Sequence, residues 1–485
     1  MHHFHRYRYR SATRAGGSRW ALLSVLLVAQ LMVIIDISAV NVALPDLAKD
    51  LDIGGGGIGW AITSYSLLFG SLLLLGGRAA DLLGRRRVFF AGLSVFTLSS
   101  LASAVAVDAS SLFAARAGQG LGAAMLSPAA LSIITTAFQG RERAKALGAW
   151  GAVGGAGAAI GVLLGGVLTE VADWRAIFYI NIPVGLALAV AATKVVPADS
   201  ARPRWRGLDL RGAALATFSL AAVMYAISQA GSAGWASAQT LGLGLAGLAG
   251  LAAFAALERE TKQPLLRVQR LGDRAVGGGF LLMLLGSAVL FGMFLLSSLY
   301  LQDVLGTGPL GTGLAFLPVA IAAGLGAHVG GRLISRLGVR VPMAGGFAAT
   351  AVGMLLLAGV DRDSSYLGSV LPGMLIAGLG LGVVLVGVAV SVLTGARDEE
   401  AGMLSGLNTT GHEVGGSFGV AVLVSIATAA TGTGSSPIGA SGIADAFLAA
   451  GILAGAGSLI ALLVLPSARS FLPKLRLAPA SMPIH

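Results

Sequence analysis

Three ionisable residues stand where an apolar chain does not tolerate charge. Asp36 lies within the apolar run 20–44, Arg116 within 110–137 and Glu413 within 402–430. A charged side chain at the centre of a membrane helix costs roughly 2.5–3.5 kcal/mol on insertion scales, so it is kept where it is paired, neutralised or used. A carboxyl group in such a place has two stable states, protonated or ionised beside a cation. Asp36 is about nine residues, roughly 13 Å at the helical rise, from the far end of its run. Arg116 lies at a comparable depth in a run of opposite direction. The two can form a fixed buried ion pair, or a pair that opens when Asp36 takes up a proton. Glu413 falls about eleven residues into its run, close to mid-membrane. It is a candidate second protonation or cation site, or else a polar contact between helices. His412 beside it points about 100° away around the helix and has no second histidine four residues on, so this is not a zinc-protease motif. The chain has no cysteine, which excludes disulfides, thiol chemistry and cysteine-ligated metal. No metal site is expected.

A second pattern is polar, basic and bounded by glycine: Gly77-Arg78-Ala79-Ala80-Asp81-Leu82-Leu83-Gly84-Arg85-Arg86-Arg87. Its frame returns 254 positions later as Gly331-Arg332-Leu333-Ile334-Ser335-Arg336-Leu337-Gly338-Val339-Arg340. Both lie between apolar runs and read as short turns. A repeated turn at matching places in a polytopic chain implies two related bundles, the construction of many secondary transporters.

The elements that position these residues follow from composition. The 485 residues are 55% hydrophobic and 11% charged, with mean hydropathy +0.83. Soluble domains carry about 25% charged residues, so this is an all-α polytopic membrane protein. The 72 glycines suit helices whose backbones approach closely. Fourteen spans are read at 20–44, 58–77, 88–107, 110–137, 145–168, 175–196, 210–229, 237–257, 276–301, 309–330, 341–360, 367–394, 402–430 and 443–465. Counting residues at the span ends with their loops, the even-numbered connections and both tails hold 29 Lys and Arg, against 3 in the odd-numbered connections. Basic residues stay on the cytoplasmic side, which puts both termini in the cytoplasm. The first apolar run is too long, and with Asp36 and Asn41 too polar, for a cleaved signal peptide. The basic tail before it, with its histidines, reads as lying on anionic lipid rather than binding metal. The excess of arginine, 28 against 5 lysines, points to a GC-rich bacterial genome, not to nucleic-acid binding.

Between the two echoing turns lie eight spans where a six-plus-six arrangement would have six. Spans 7 and 8 are therefore the added pair. The expected organisation is a tail 1–19, a six-helix bundle 20–196, a linker 197–275 holding the added pair, a second six-helix bundle 276–466 and a tail 467–485.

Several segments resemble the fourteen-span drug:proton antiporters of the major facilitator superfamily. The basic turn resembles the signature between that superfamily's second and third spans. Asp36-Ile37-Ser38-Ala39-Val40-Asn41-Val42-Ala43-Leu44-Pro45 is similar to the group's first-span motif, and Arg116-Ala117-Gly118-Gln119-Gly120 to the span 4 motif whose arginine is linked to proton movement. Gly157-x3-Gly161-Val162-x2-Gly165-Gly166 is similar to the antiporter motif, with Val162 where proline is usual. Asp173-Trp174-Arg175, Phe178 to Pro183, Tyr300-Leu301-Gln302 and Asn408-Thr409-Thr410 are further matches.

The resemblance implies a major facilitator fold and export of drugs, antibiotics or similar amphipathic organic compounds from the bacterial cytoplasm, driven by proton-motive force without a bound cofactor. Proton-linked transport of a lipid or metabolite is the alternative. Asp36, Arg116 and Glu413 would couple protons. Gly77, Arg78, Asp81, Gly84, Arg85 and Arg86 would form a gating loop. Gly157, Gly161, Gly165 and Gly166 form a flat stripe for close packing that the family reading places at a seal between bundles. Asn41, Tyr65, Phe69, Gln119, Asn181, Tyr225, Gln302 and His412 are candidates for an aromatic and polar substrate cavity. No Gly-Lys pair occurs, hence no Walker-type phosphate loop. The expected partners are a small organic substrate, protons and the bilayer, with the protein a monomer.

Overall fold

The computed structural model describes residues 17–54, 57–138, 140–199, 210–261, 266–394, 401–429 and 439–477. Its regular structure is helical. The helices are α1 (Gly17–Asp50), α2 (Trp60–Leu83), α3 (Arg85–Ala104), α4 (Ala109–Ala137), α5 (Gly140–Val171), α6 (Ala176–Tyr179), α7 (Asn181–Val195), α8 (Leu210–Ala233) and α9 (Ala238–Glu260). They continue as α10 (Arg274–Leu299), α11 (Pro309–Leu337), α12 (Arg340–Leu357), α13 (Leu371–Leu393), α14 (Ala401–Ala429), α15 (Ala440–Val464) and α16 (Ala468–Leu477). Each span read from the sequence has its helix, the sixth being split into α6 and α7. Among the described residues, ten of these segments are long and apolar enough to cross a membrane.

The sixth span breaks where Pro183 has no N–H to give the Tyr179 carbonyl, and Asn181 begins α7 at that break. The turn between α3 and α4, marked in sequence by Asp108 and two serines, is a reciprocal cap. Asp108 Oδ1 accepts from the Ser111 N–H at 2.7 Å, and Ser111 Oγ accepts from the Asp108 N–H at 3.2 Å. The backbone N–H donated by Ser111 holds the Asp108 carboxyl below the usual carboxylate range.

Packing sorts the helices. Within α1–α7 the main pairs are α2 with α4, α3 with α4 and α1 with α5; within α10–α15 they are α11 with α13, α12 with α13, α10 with α14 and α12 with α15. The two sets meet where α5 packs on α11, α2 on α14 and α1 on α10. α8 lies across the α2–α14 contact, with α9 on its far side. Antiparallel helices leave two ends to the bundle: one carries Gly84 and Gly338, the other Asp50, Asp108 and Asp173.

The basic segments are not the loops their composition suggests. α2 continues through Gly77 and Arg78 to Leu83, and α3 starts at Arg85, so only Gly84 stands between them. The second copy turns at Gly338 and Val339, between Leu337 of α11 and Arg340 of α12. Both glycines have positive φ, 109° and 72°, a region that L side chains rarely adopt. One residue, Gly84, makes the first turn and two, Gly338 and Val339, the second, because arginine and leucine are good helix formers. Long arginine stems also let polar heads reach water from within a helix end.

Candidate functional site

Asp36 is fully buried on α1, and so is Arg116 on α4, 1% exposed. Arg116 Nη1 donates to Asp36 Oδ2 at 2.5 Å and to Gln119 Oε1 at 2.9 Å, while its Nε donates to the Ala61 carbonyl at 3.1 Å. The other carboxylate oxygen, Oδ1, accepts from Gln119 Nε2 at 2.8 Å and Asn181 Nδ2 at 2.9 Å. Ser100 Oγ on α3 accepts from both amides, at 2.7 and 3.2 Å, and Ser103 Oγ donates to Gln119 Oε1 at 3.1 Å. The guanidinium lies over the Tyr65 ring, 4.5 Å from its centroid, with Phe178 at 5.8 Å. Five helices thus bring hydrogen-bonding groups to one ion pair, α1, α2, α3, α4 and α7, and α6 adds Phe178 beside it. Charge-assisted hydrogen bonds in a dry interior are stronger than neutral ones, and each member is already oriented by another.

Two residues expected around a substrate cavity, Gln119 and Asn181, therefore spend their amides on Asp36. Tyr65 and Phe69, with ring centroids 5.5 Å apart, are buried under the same group. Tyr225 is elsewhere: it is 37% exposed on α8 and packs on Trp60 at 5.5 Å. Asn41 donates to the Ile37 carbonyl of its own helix at 3.0 Å. Gln302 sits in a π-helical turn, Tyr300–Val304, that extends α10. It donates to the Val42 carbonyl at 2.8 Å, and Ser298 Oγ donates to the Asn41 carbonyl at 3.1 Å.

Glu413 and His412 leave α14 in different directions. Glu413, 2% exposed, lies against α2. A methyl on Gly70 would come 3.0 Å from its Cβ, and Thr410 Oγ1 donates to the Gly70 carbonyl at 3.3 Å. Among the described residues, Tyr65 Oη and Ser417 Oγ on the same two helices have no hydrogen-bond partner. His412 turns to α10, where Nδ1 shares a 2.7 Å hydrogen bond with Ser287 and the ring meets Phe291 edge-on at 5.2 Å.

The glycine stripe of α5 divides between two partners. On α1, a methyl at Gly157 would stand 3.0 Å from Leu31, one at Gly161 2.8 Å from Ser38 and one at Gly165 2.7 Å from Ala39. Only Gly166 faces the second set of helices, 2.6 Å from the Pro309 carbonyl by the same measure.

Around the glycine turns, residues 254 apart do the same work. Arg86 Nη2 donates to the Thr193 carbonyl near the end of α7 at 3.3 Å. Its counterpart Arg340 donates through Nε to the Leu465 carbonyl at the end of α15 at 2.7 Å. Cations are favourable at helix C-termini. In the first copy the carboxylate of Asp199, just past α7, accepts from the N–H groups of Arg86 and Arg87 at 3.1 Å each. It also fills the space beside Gly84, where any Cβ would collide with it. Sequence reasoning missed Asp199, because its partners lie 113 and 112 positions away. The Asp81 side chain lies outside the described residues.

These features define a polytopic helical membrane protein with an internal repeat and a buried ion pair at the core of its first set of helices, an architecture of secondary transporters. The chain belongs to the Major Facilitator Superfamily, whose family model matches residues 26–420. It is 41% identical over 417 residues to the puromycin resistance protein pur8 of Streptomyces alboniger, covering 85% of this chain and 82% of that one. It is 38% identical to the cephamycin export protein CmcT of Amycolatopsis lactamdurans, over 87% of each. With the lincomycin resistance protein of Streptomyces lincolnensis it shares 35% over 94% of this chain and 93% of the relative. Among solved structures, a bacterial homologue of the human lysosomal transporter Spinster, inward-facing and unoccupied, superposes with TM-score 0.67 over 95% of this chain and 99% of that one. At 15% identity that likeness concerns the fold.

Proposed function

We propose that this protein exports antibiotics or similar amphipathic organic compounds across the bacterial cytoplasmic membrane in exchange for protons, by alternating access. The observation that carries the reading is the buried Asp36–Arg116 pair. Its carboxylate is held by Gln119 and Asn181 in place of water, so protonation releases a bound cation and changes what five helices share. Relatives named for antibiotic resistance or export support the direction and the substrate class. A proton entering down a potential of about 100 mV releases roughly 2.3 kcal/mol, enough for on the order of 50-fold accumulation per net charge.

In this reading both termini and the end carrying Gly84 and Gly338 face the cytoplasm. Residues 20–196 and 276–466 are the two moving bundles, 197–275 the linker. Glu413 is a second proton or cation site on the facing bundle. The basic turns brace the inner side, and the protein acts as a monomer.

Inverted membrane vesicles test it. With the interior acid, a substrate from a panel containing puromycin, lincomycin and dyes should accumulate inside, and its addition should discharge the pH gradient. Reversing the gradient should reverse the flux. Uptake of the panel insensitive to the gradient would overturn proton exchange, and absence of any panel substrate alongside lipid or metabolite movement would overturn the drug reading.

A further inference from the structure

Within an unbroken α-helix the carbonyl of residue 41 would accept from the N–H of residue 45, and here residue 45 is proline. Pro45 lies inside α1 and has no N–H to give. The Asn41 carbonyl is thereby released on a residue that is nine-tenths buried, and an unpaired carbonyl in such a place is costly. Ser298 of α10 donates to it at 3.1 Å, across 257 positions of sequence. One residue on, the Val42 carbonyl takes a second donor from outside its helix, Gln302 Nε2, at 2.8 Å. Gln302 also donates to Ser298 Oγ at 3.1 Å, so the two side chains orient each other. Ser298 and Gln302 are four residues apart, and the π-helical turn Tyr300–Val304 holds Gln302 in register. Such single turns are rare and occur frequently at functional sites.

We infer that Ser298 and Gln302 form a clasp across the outer side of the transporter, closing α10 onto the Asn41 carbonyl that Pro45 frees on α1 and the Val42 carbonyl beside it, and that the clasp opens in each cycle. The inference rests on the alternating-access reading above. The clasp consists of side chain–backbone bonds between helices, so it can break without dismantling either helix. It also stands on the helix that carries Asp36, five residues along. Any tilt or rotation of α1 following release of the Asp36–Arg116 pair displaces carbonyls 41 and 42 from their donors. Ser298 and Gln302 are positioning residues for the cycle, and nothing in their arrangement requires contact with substrate.

The cysteine-free chain allows a direct test. Ile37→Cys, one turn inward of Asn41, reports access from outside, and Gln30→Cys, two turns further in on the same face of α1, reports access from the cytoplasm. Each is labelled with a membrane-impermeant maleimide, in intact cells and inverted vesicles, without substrate or pH gradient. Adding Ser298→Ala with Gln302→Ala removes both donors, and at about a factor of five per hydrogen bond outside labelling of Ile37→Cys should rise at least tenfold. Labelling of Gln30→Cys should fall in the same background, because populating one state depletes the other. Gln302→Glu keeps the volume and replaces the donor by an acceptor, so it should shift both rates the same way if the double variant is poorly inserted. Pro45→Ala, which returns an N–H to the Asn41 carbonyl, should also raise outside labelling. Unchanged outside labelling in Gln302→Glu, or a rise at both positions as from general loosening, would overturn the clasp. Because no proton gradient or drug is present, either result leaves the exchange reading to be judged by flux in vesicles.

Discussion

At the scale of the residue, one carboxylate sets the strongest constraints. Asp36→Asn keeps the shape of the protonated state, so the proposed exchange predicts loss of drug-driven proton movement with substrate binding retained. Proton flux and fluorescent-substrate binding in vesicles check both halves, and full coupled transport by the variant would move the coupling role to Glu413. Arg116→Ala is expected to be worse, since removing one partner of a buried pair costs about 3–5 kcal/mol; membrane yield and thermal unfolding in detergent should both fall. Asn181→Ala removes one of two amides on Asp36 Oδ1 and should slow drug-driven proton movement in vesicles, whereas wild-type rates would show that amide to be dispensable. The ion pair was legible in the sequence because charge inside an apolar run is rare. Gln119, Asn181 and Ser100 were legible only as polar residues among many in the spans. Nothing along the chain says that three helices bring them together around one carboxylate.

At the scale of the element, the basic turn shows where composition misleads. Eleven residues, all but Leu82 and Leu83 polar or small, read as a loop, yet helix propensity carries α2 through them and leaves one glycine to turn the chain. Gly84→Ala must adopt an unfavourable φ, about 1–2 kcal/mol, and must also displace the Asp199 carboxylate. Asp199→Ala alone loses an N-terminal cap, about 0.5–2 kcal/mol. The double variant is relieved of the collision, so the two effects should fall short of additive, as contacting residues do. Unfolding midpoints of the four proteins measure this, and strict additivity would show that Asp199 does not hold the turn. The echo of the motif was readable as spacing, but that Arg86 and Arg340 each bind the end of their set's last helix was not, since the partners lie 107 and 125 residues off.

At the scale of the whole molecule, hydropathy and the division of basic residues locate the helices, but packing decides which of them form the centre. α8 and α9, the added pair, are where the count of fourteen crossings is tested. α8 lies over the α2–α14 contact with α9 behind it. An added pair that crosses the membrane preserves the orientation of all that follows, and so does a pair that dips in and returns. The two cases differ at the connection between α8 and α9. Single cysteines resolve them: Arg362→Cys, exposed between α12 and α13, should react only with reagent outside the cell, and Arg336→Cys, exposed at the end of α11, only from the cytoplasm. Ala236→Cys, exposed in the α8–α9 turn, should behave like Arg362→Cys. Labelling of Ala236→Cys from the cytoplasm, with the other two as expected, would leave twelve crossings and make α8 and α9 an inner flap against the α2–α14 contact. Labelling from outside makes them a fixed wall beside it, with Trp60 and Tyr225 packed where α8 meets the start of α2. Opening of that contact during the cycle would then have to carry α8 along with one bundle or the other.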